Sequence, residues 1–383
     1  MARIVVSATM VRYPLGGMVH ADVPWLVGLK QLGHDVYLLE RSDWPESCYD
    51  VARGEYTQDC SYGVTFVNAF LARYGLEDRW CFVDDGGTYY GLSRERVQEV
   101  LRTVDVFLEF NWNTWLPAAH AAGTRVFIDS EPGWYQMRLE NRVRAGEQLP
   151  TYDYYFTDGH NVGTARCPAP TVGRTWKKYF WPILMDALPM QPPAPHSAFT
   201  TVMQWKSNKR IKFDGVTYGQ KDFEFPKFLT LPRLTSVPLE MAVSGPVPSD
   251  MRQQILDTGW GIRDADEVSA TVDSYRQYVL DSRGEFGVCK NAFVATNCGV
   301  FPERPGCYMA TGRPAVVQDT GFSDHLPCGR GLFAVRTVED AAAALDAIAS
   351  DFETHARAAR EIAVEYFDAG RVLAKFLGEL GVS

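Results

Sequence analysis

Directly after the apolar segment FTTVMQW (199–205) the chain reads Lys206, Ser207, Asn208, Lys209, Arg210. Point charges and a guanidinium fork at the end of a buried strand, closed by Trp205, are what a diphosphate requires. A solvated basic turn is the other reading of the same residues. A second concentration of polar chemistry runs from 282 to 331, where Gly and Pro punctuate short apolar stretches. Within it CGVFPERPG leads into a helical GCYMAT, with Glu303 and Arg304 just ahead of the helix, whose free N–H groups attract phosphate. GRPAVVQDTGF then reads as a strand running into an acid–Thr–Gly loop. Asp319 at that strand end can accept hydrogen bonds from sugar hydroxyls.

The N-terminal part offers a different set. Gly16 and Gly17 follow the first apolar segment, where a glycine pair lets a backbone approach a ligand or simply forms a tight turn. His20 and Asp22 come just beyond, on the first helical turn, as a candidate imidazole and a carboxylate that equally suits a solvated helix start. Asp129 and Glu131 end the segment TRVFIDSE (124–131). A carboxylate there can orient an imidazole and stabilise its protonated form; capping the following EPG turn is the structural alternative.

These residues need elements to hold them. RIVVSATM (3–10) is nearly continuous in apolar and β-branched residues, the pattern of a strand buried on both faces. A helix from about His20 to Leu32, closed by Gly33, precedes a second strand, DVYLLE (35–40), which completes a βαβ unit. Strands at 104–110, 124–130 and 153–157, with a helix at 115–122, continue a doubly wound α/β pattern. ALPMQPPAPHS (187–197) carries four prolines and reads as a linker. Strands at 199–205, 239–245 and 313–319 then build a second unit of the same kind. Helices are expected at 275–281, 338–350, 353–367 and 372–380, with EFGVC (285–289) as a short strand or turn. In such sheets ligands bind outside the C-terminal strand ends, where all the candidates above fall.

The 383 residues are too many for one ordinary α/β lobe and comfortable for two. A net charge of −9 without a Lys/Arg run argues against a polynucleotide partner. Eight cysteines lack CxxC pairing or zinc spacing and suit reduced thiols in a cytoplasm. MARIVVSATMV has no signal-peptide layout, and no stretch reaches membrane-span length. A soluble, cytoplasmic protein is expected.

YMATGRPAVVQDTGF resembles the signature of GT-B glycosyltransferases, and GG followed by LGHDV resembles the opening unit of the same superfamily. With YPLGG, LGHDVY, TYGQKD and SRGEF in order, nearly the whole chain is similar to a group of bacterial GT-B glycosyltransferase-like proteins. The resemblance implies two Rossmann-like lobes facing a deep cleft. It also implies an acceptor lobe over 1–188, a Pro-rich linker at 189–198 and a nucleotide-sugar lobe over 199–365. A C-terminal helix within 366–383 would cross back to the first lobe. It sets Lys206 and Lys209, with Trp205 and Ser207, near the donor diphosphate. Gly299, Glu303, Arg304 and Gly306 fall around the phosphate-binding helix, and Asp319, Thr320 and Gly321 by the sugar or ribose. It sets Gly16, Gly17, Asp22 and Glu131 on the acceptor side. His20 and Asp129 match, in order and approximate separation, the His–Asp pair of inverting members.

The pattern also departs from the family. Gly299 and Cys307 stand where many retaining enzymes carry two glutamates, and Asn297-Cys298-Gly299-Val300 lacks the His and Trp of the inverting HCGW element. Inversion is slightly favoured.

The resemblance thus implies a metal-independent transfer, without cofactor, of a sugar from a UDP or dTDP donor to a small-molecule natural product. A homodimer fits as well. A GT-B-fold sugar-nucleotide epimerase and a nucleotide-binding relative without turnover fit the same lobes. On this reading Lys206→Ala costs about 1.5–3 kcal/mol, roughly ten- to a hundredfold in kcat/KM. A loss under about twofold removes Lys206 from the donor site.

Overall fold

In the computed structural model, residues 1–42, 44–110, 123–193 and 197–382 are described. The helix expected at 115–122 lies outside them. Strands β1 (Arg3–Ser7), β2 (Asp35–Arg41), β5 (Trp80–Val83), β6 (Tyr89–Gly91), β7 (Val106–Phe110), β8 (Thr124–Asp129), β9 (Tyr154–Thr157) and β10 (Trp176–Lys178) form the first sheet. Their order is β10-β9-β8-β7-β1-β2-β5-β6, parallel except for the β5–β6 edge pair. A hairpin of β3 (Cys48–Asp50) and β4 (Glu55–Thr57) stands apart from it.

The second lobe repeats the plan. Strands β11 (Phe199–Gln204), β14 (Leu239–Ser244), β15 (Gly261–Asp264), β16 (Gly284–Gly287), β17 (Ala315–Gln318) and β18 (Leu332–Val335) run parallel in the order β15-β14-β11-β16-β17-β18. A second hairpin, β12 (Ile211–Phe213) with β13 (Val216–Tyr218), follows β11. Read from the inside out, both sheets have the doubly wound order, with the strand direction of travel reversing between β1 and β7 and between β11 and β16. Those two switch points are where a ligand crevice belongs. The chain therefore has two Rossmann-like lobes.

Alternation along the strands divides the core. Ile4 and Val6 of β1 face one hydrophobic layer and Val5 the other. The first layer contains Trp25, fully buried, with rings of Phe110, Tyr179, Trp181 and Phe376 at 5.2–6.0 Å. Much of the aromatic richness of the chain is thus spent on packing rather than on a ligand. Phe376 belongs to the last helix, Ala369–Gly378, which also sends Leu373 and Leu377 into the first-lobe layer. The chain therefore ends in the lobe where it began.

Four helix starts differ from the sequence expectation by more than one residue; those expected at 275 and 372 begin three residues earlier, at Val272 and Ala369. The first helix spans Gly16–Gln31, four residues earlier than the propensity of a glycine pair suggests. Gly16 is tolerated there because the second lobe packs against it. A Cβ at Gly16 would lie 2.6 Å from Cβ of Tyr275 and closer still to the Thr271 carbonyl. The helix expected to begin at Gly306 begins at Glu303 and runs to Ala310, so Glu303 and Arg304 form its first turn instead of preceding it.

Leu373 is fully buried. Leu373→Ala is expected to destabilise the protein by about 2–5 kcal/mol in urea unfolding, through a cavity in the first-lobe core. A change below about 0.5 kcal/mol contradicts that packing.

Candidate functional site

Three cations converge at the C-terminal ends of the second-lobe strands. The turn carrying Lys221 is stitched to the segment after β16. Gly219 N donates to Asn291 Oδ1 at 2.8 Å, and Asn291 N and Ala292 N donate to the carbonyls of Gln220 and Gly219. This brings Lys221 beside Lys290, with Arg304 from the first turn of helix Glu303–Ala310. The Lys221 side chain makes no hydrogen bond or ion pair among the described residues, while its carbonyl accepts from Phe225 N. Burial, then the neighbouring Arg304 and Lys290, push its ammonium well below the ordinary lysine range. Arg304 is ion-paired through Nε to Glu285, which is fully buried, and donates from Nη1 to the Val202 carbonyl at 2.8 Å. Lys290 reaches across the cleft to an ion pair with Glu131.

The first lobe answers with carboxylates. Glu131 holds Lys290 through Oε1, while its buried Oε2 has no hydrogen-bond partner. Asp129 is closed in by its own lobe. It accepts from Gln136 Nε2 at 2.6 Å, Thr157 Oγ1 at 2.9 Å and Glu131 N at 2.9 Å. Burial outweighs those bonds and raises it to about 6. Asp158, at the end of β9, is 6% exposed, and its Oδ1 has no partner. Burial first, then Asp129 and Glu131, raise it well above the carboxylate range.

His20 and Asp129 are not joined, which corrects the expected base–orienter pair. Asp129 is bonded within β8, β9 and helix Trp134–Arg144, whereas His20 faces the second lobe. Its ring lies 5.3 Å from Tyr275, and its enclosed Nε2 has no partner. Burial, reinforced by Arg276, lowers it to about 4, so it is neutral at pH 7. Gly16 and Gly17 abut Thr271 and Tyr275 of helix Val272–Asp281 and its cap, so the glycine pair serves close packing between lobes. Asp22 is no surface dipole partner. It is 1% exposed, accepts from Thr9 N at 3.2 Å and leaves Oδ1 without a partner. Burial, with smaller contributions from Glu40 and, across the cleft, Glu303, raises it to about 7. Glu303, raised to about 7 by its own burial, accepts from Cys307 Sγ at 3.0 Å.

Several other candidates are structural. Trp205 is 2% exposed in the second-lobe core against Phe225. Gly306 makes room for Ile183 and Phe367, so its place is helix packing and not phosphate. Thr320 is fully buried and donates to the Val300 carbonyl at 2.5 Å. Asp319 is taken up by its own loop, accepting from Gly321 N and Ser323 Oγ at 2.9 Å, and by Arg336 at 2.8 Å. Gly299 and Gly321, at φ +79° and +94°, both press on Asn161 of the first lobe, a lobe contact that a side chain would block. In the basic loop, Lys206 is exposed and 3.6 Å from Asp222, Ser207 Oγ donates to Gln220 Oε1 at 2.9 Å, and the Lys209 carbonyl accepts from Trp134 Nε1 at 3.1 Å. That loop flanks the Lys221 turn from outside.

Lys221, Lys290 and Asp158 were not singled out from sequence. Only Lys221 carried a signal, inside TYGQKD. A cavity of about 310 Å³ opens at the ends of β14 and β15, lined in part by Ser244, Arg252, Asp264 and Asp266. Among the described residues no group of three or more His, Cys, Asp or Glu is placed to hold a metal ion, and no helix is long and apolar enough to cross a membrane.

No family model matches the chain, and no curated protein matches it in sequence. Solved structures do. AviGT4, a glycosyltransferase involved in avilamycin A biosynthesis, superimposes with TM-score 0.53 at 11% identity over 99% of this chain and 97% of that one. An alpha-glucosyltransferase in complex with UDP gives 0.57 at 10% over the full length of both chains. HepE of Anabaena, in complex with UDP and glucose, gives 0.56 at 12%, also over the full length of both. The shared property is the fold, two Rossmann-like lobes of the GT-B type.

Asp22 holds a proton up to about pH 7 in the folded protein, against an ordinary value near 4 in the unfolded chain. The native state therefore binds the extra proton between those values. The stability it contributes is complete at the acid end and is lost as pH rises through 7, with an upper bound on the order of 4 kcal/mol. The urea midpoint of the wild type is expected to fall between about pH 5 and pH 8 more steeply than that of Asp22→Asn. Parallel curves would assign the dependence elsewhere.

Proposed function

We propose that the chain is a glycosyltransferase that binds a nucleoside-diphosphate sugar against the second lobe and transfers the sugar to an acceptor on the first. The observation that carries this reading is Lys221, a half-buried lysine whose side chain has no ion pair of its own among the described residues, set beside Lys290 and Arg304 at a GT-B cleft. An unpaired cation out of water is costly, and a diphosphate would offset that cost while its own charge is neutralised by side chains. As the glycosidic C–O bond to the donor breaks, the charge developing on the diphosphate falls to Lys221, and to Lys290 once it exchanges its Glu131 partner for phosphate. Arg304 is already committed to Glu285. UDP is the favoured nucleotide, because solved structures similar in fold include UDP complexes.

His20 fits the base role without Asp129, since it is neutral at pH 7 and its Nε2 is unbonded. It becomes accessible to an acceptor hydroxyl only when helix Val272–Asp281 moves away, a lobe motion of the kind that gates many two-domain enzymes.

A second reading has its own support. Asp129, Glu131 and Asp158 crowd the opposite face of the cleft, and paired carboxylates suit a sugar-nucleotide epimerase. UDP-sugar incubated alone separates the two. An epimerase changes the configuration of the sugar, whereas a transferase gives slow hydrolysis and needs an acceptor.

Calorimetric titration with UDP, dTDP, GDP and ADP, with and without magnesium, tests the donor site. One nucleotide is expected to bind, with Lys221→Ala weakening it about ten- to a hundredfold and Lys290→Ala by a similar factor. The exposed Lys206→Ala is expected to lose less. Failure of all four nucleotides to bind would remove the transferase reading.

A further inference from the structure

Where the first-lobe loops leave the ends of β1 and β2, aromatic faces are left in water. Trp44 is 48% exposed and Tyr56 53%. Neither ring dangles. Tyr56 is the cross-strand partner of Tyr49 in the β3–β4 hairpin, with ring centroids 5.2 Å apart, and meets Tyr13 edge-on at 6.2 Å. Trp44 lies with the Arg12 guanidinium 5.5 Å from its ring, and Arg12 is fixed by the buried Glu40, whose Oε1 accepts from Arg12 Nε at 3.3 Å. The Trp44 carbonyl accepts from Ser42 Oγ at 2.8 Å, which in turn meets Ser47 Oγ at 2.6 Å. Tyr49 donates its hydroxyl to Asp266 Oδ2 of the second lobe at 2.9 Å, and Asp266 lines the cavity at the ends of β14 and β15. The Tyr49–Tyr56 pair therefore reaches the edge of that cavity across the mouth of the cleft.

Braced aromatic faces exposed to solvent are a recognition surface, because packing alone would bury them. The charge around them selects the ligand. Asp266 lies beside both Tyr49 and Tyr56, with Asp264 next to it, while Arg53 is held by Asp50 at 3.4 Å. An acidic rim repels phosphate and polyanions and accepts hydrogen bonds from hydroxyls. A pyranose has both complements, an apolar C–H face for the rings and hydroxyls for the carboxylates. A planar aromatic acceptor would use the rings and leave the acids idle.

We propose that Trp44 and Tyr56 form a stacking platform for an uncharged saccharide, so that the acceptor is a neutral glycan end. The identification of that saccharide as acceptor rests on the transferase reading; the platform does not.

Saturation-transfer NMR and calorimetry with cellotetraose, maltotetraose and chitotetraose test it, with naringenin as planar aromatic control and a heparin tetrasaccharide as anionic control. At least one neutral tetrasaccharide is expected to bind. Trp44→Ala and Tyr56→Ala should each weaken it at least about fivefold, and UDP affinity should stay within about twofold. The proposal falls if no neutral tetrasaccharide binds, if binding survives both substitutions, or if only naringenin or heparin binds. Tetrasaccharide binding without nucleotide binding would keep the platform and remove the transferase.

Discussion

A charge drawn out of water needs a partner, and of the three half-buried cations on the second-lobe wall of this cleft one has no ion pair among the described residues. Arg304 has Glu285 and Lys290 has Glu131, yet Lys221 is left between them with burial and two like charges acting on it. The opposite lobe shows the mirror imbalance, where Asp158 and one oxygen of Glu131 are enclosed without a donor. Excess cation on one wall and excess carboxyl on the other keep the unliganded cleft short of its lowest electrostatic energy. A ligand with a negative end and a hydroxylated end relieves both walls at once.

The lobes are held in register by contacts of a different kind. Helix Trp134–Arg144 of the first lobe packs on the β12–β13 hairpin of the second, in one apolar cluster that includes Trp134, Phe213 and Val300. Asn161 adds polar stitches, donating from Nδ2 to the Asn297 carbonyl at 3.0 Å and meeting His325 Nε2 at 2.8 Å. These contacts gather on the side of β8 and β16. On the other side the Tyr49–Asp266 bond is exposed and Arg73 and Asp273 form only a solvated pair at 3.6 Å. Solvated pairs contribute little. Beside them Gly16 and Gly17 of the first helix pack closely on Thr271 and Tyr275, so close packing rather than charge closes this side of the seam as well.

The fold was legible in the sequence because a strand buried on both faces leaves a continuous apolar run, as RIVVS and AVVQ do, and because the linker prolines interrupt the pattern once. The site was less legible because its parts meet only in three dimensions. Glu131 was visible at a strand end, but its partner Lys290 is 159 residues away. Lys221 stands in a turn whose position depends on Asn291, a dependence that spacing cannot express. His20 was read with Asp129 because order and separation matched, yet helix Gly16–Gln31 turns His20 toward Tyr275. Trp205 and Thr320 sit beside strand ends in sequence but point into the core, since one residue along a strand exchanges the two faces.

The last helix closes the first-lobe core with Leu373, Phe376 and Leu377. During synthesis the first lobe emerges from the ribosome nearly two hundred residues before those side chains exist. Until they arrive, Trp25 and Phe156 have no Phe376 to cover them. The nascent first lobe must wait with an apolar surface exposed, while the second lobe, whose strands and helices are contiguous in the chain, can consolidate first. Consolidation therefore runs against the order of the sequence, with the apolar surface of the N-terminal lobe left uncovered until helix Ala369–Gly378 has been made.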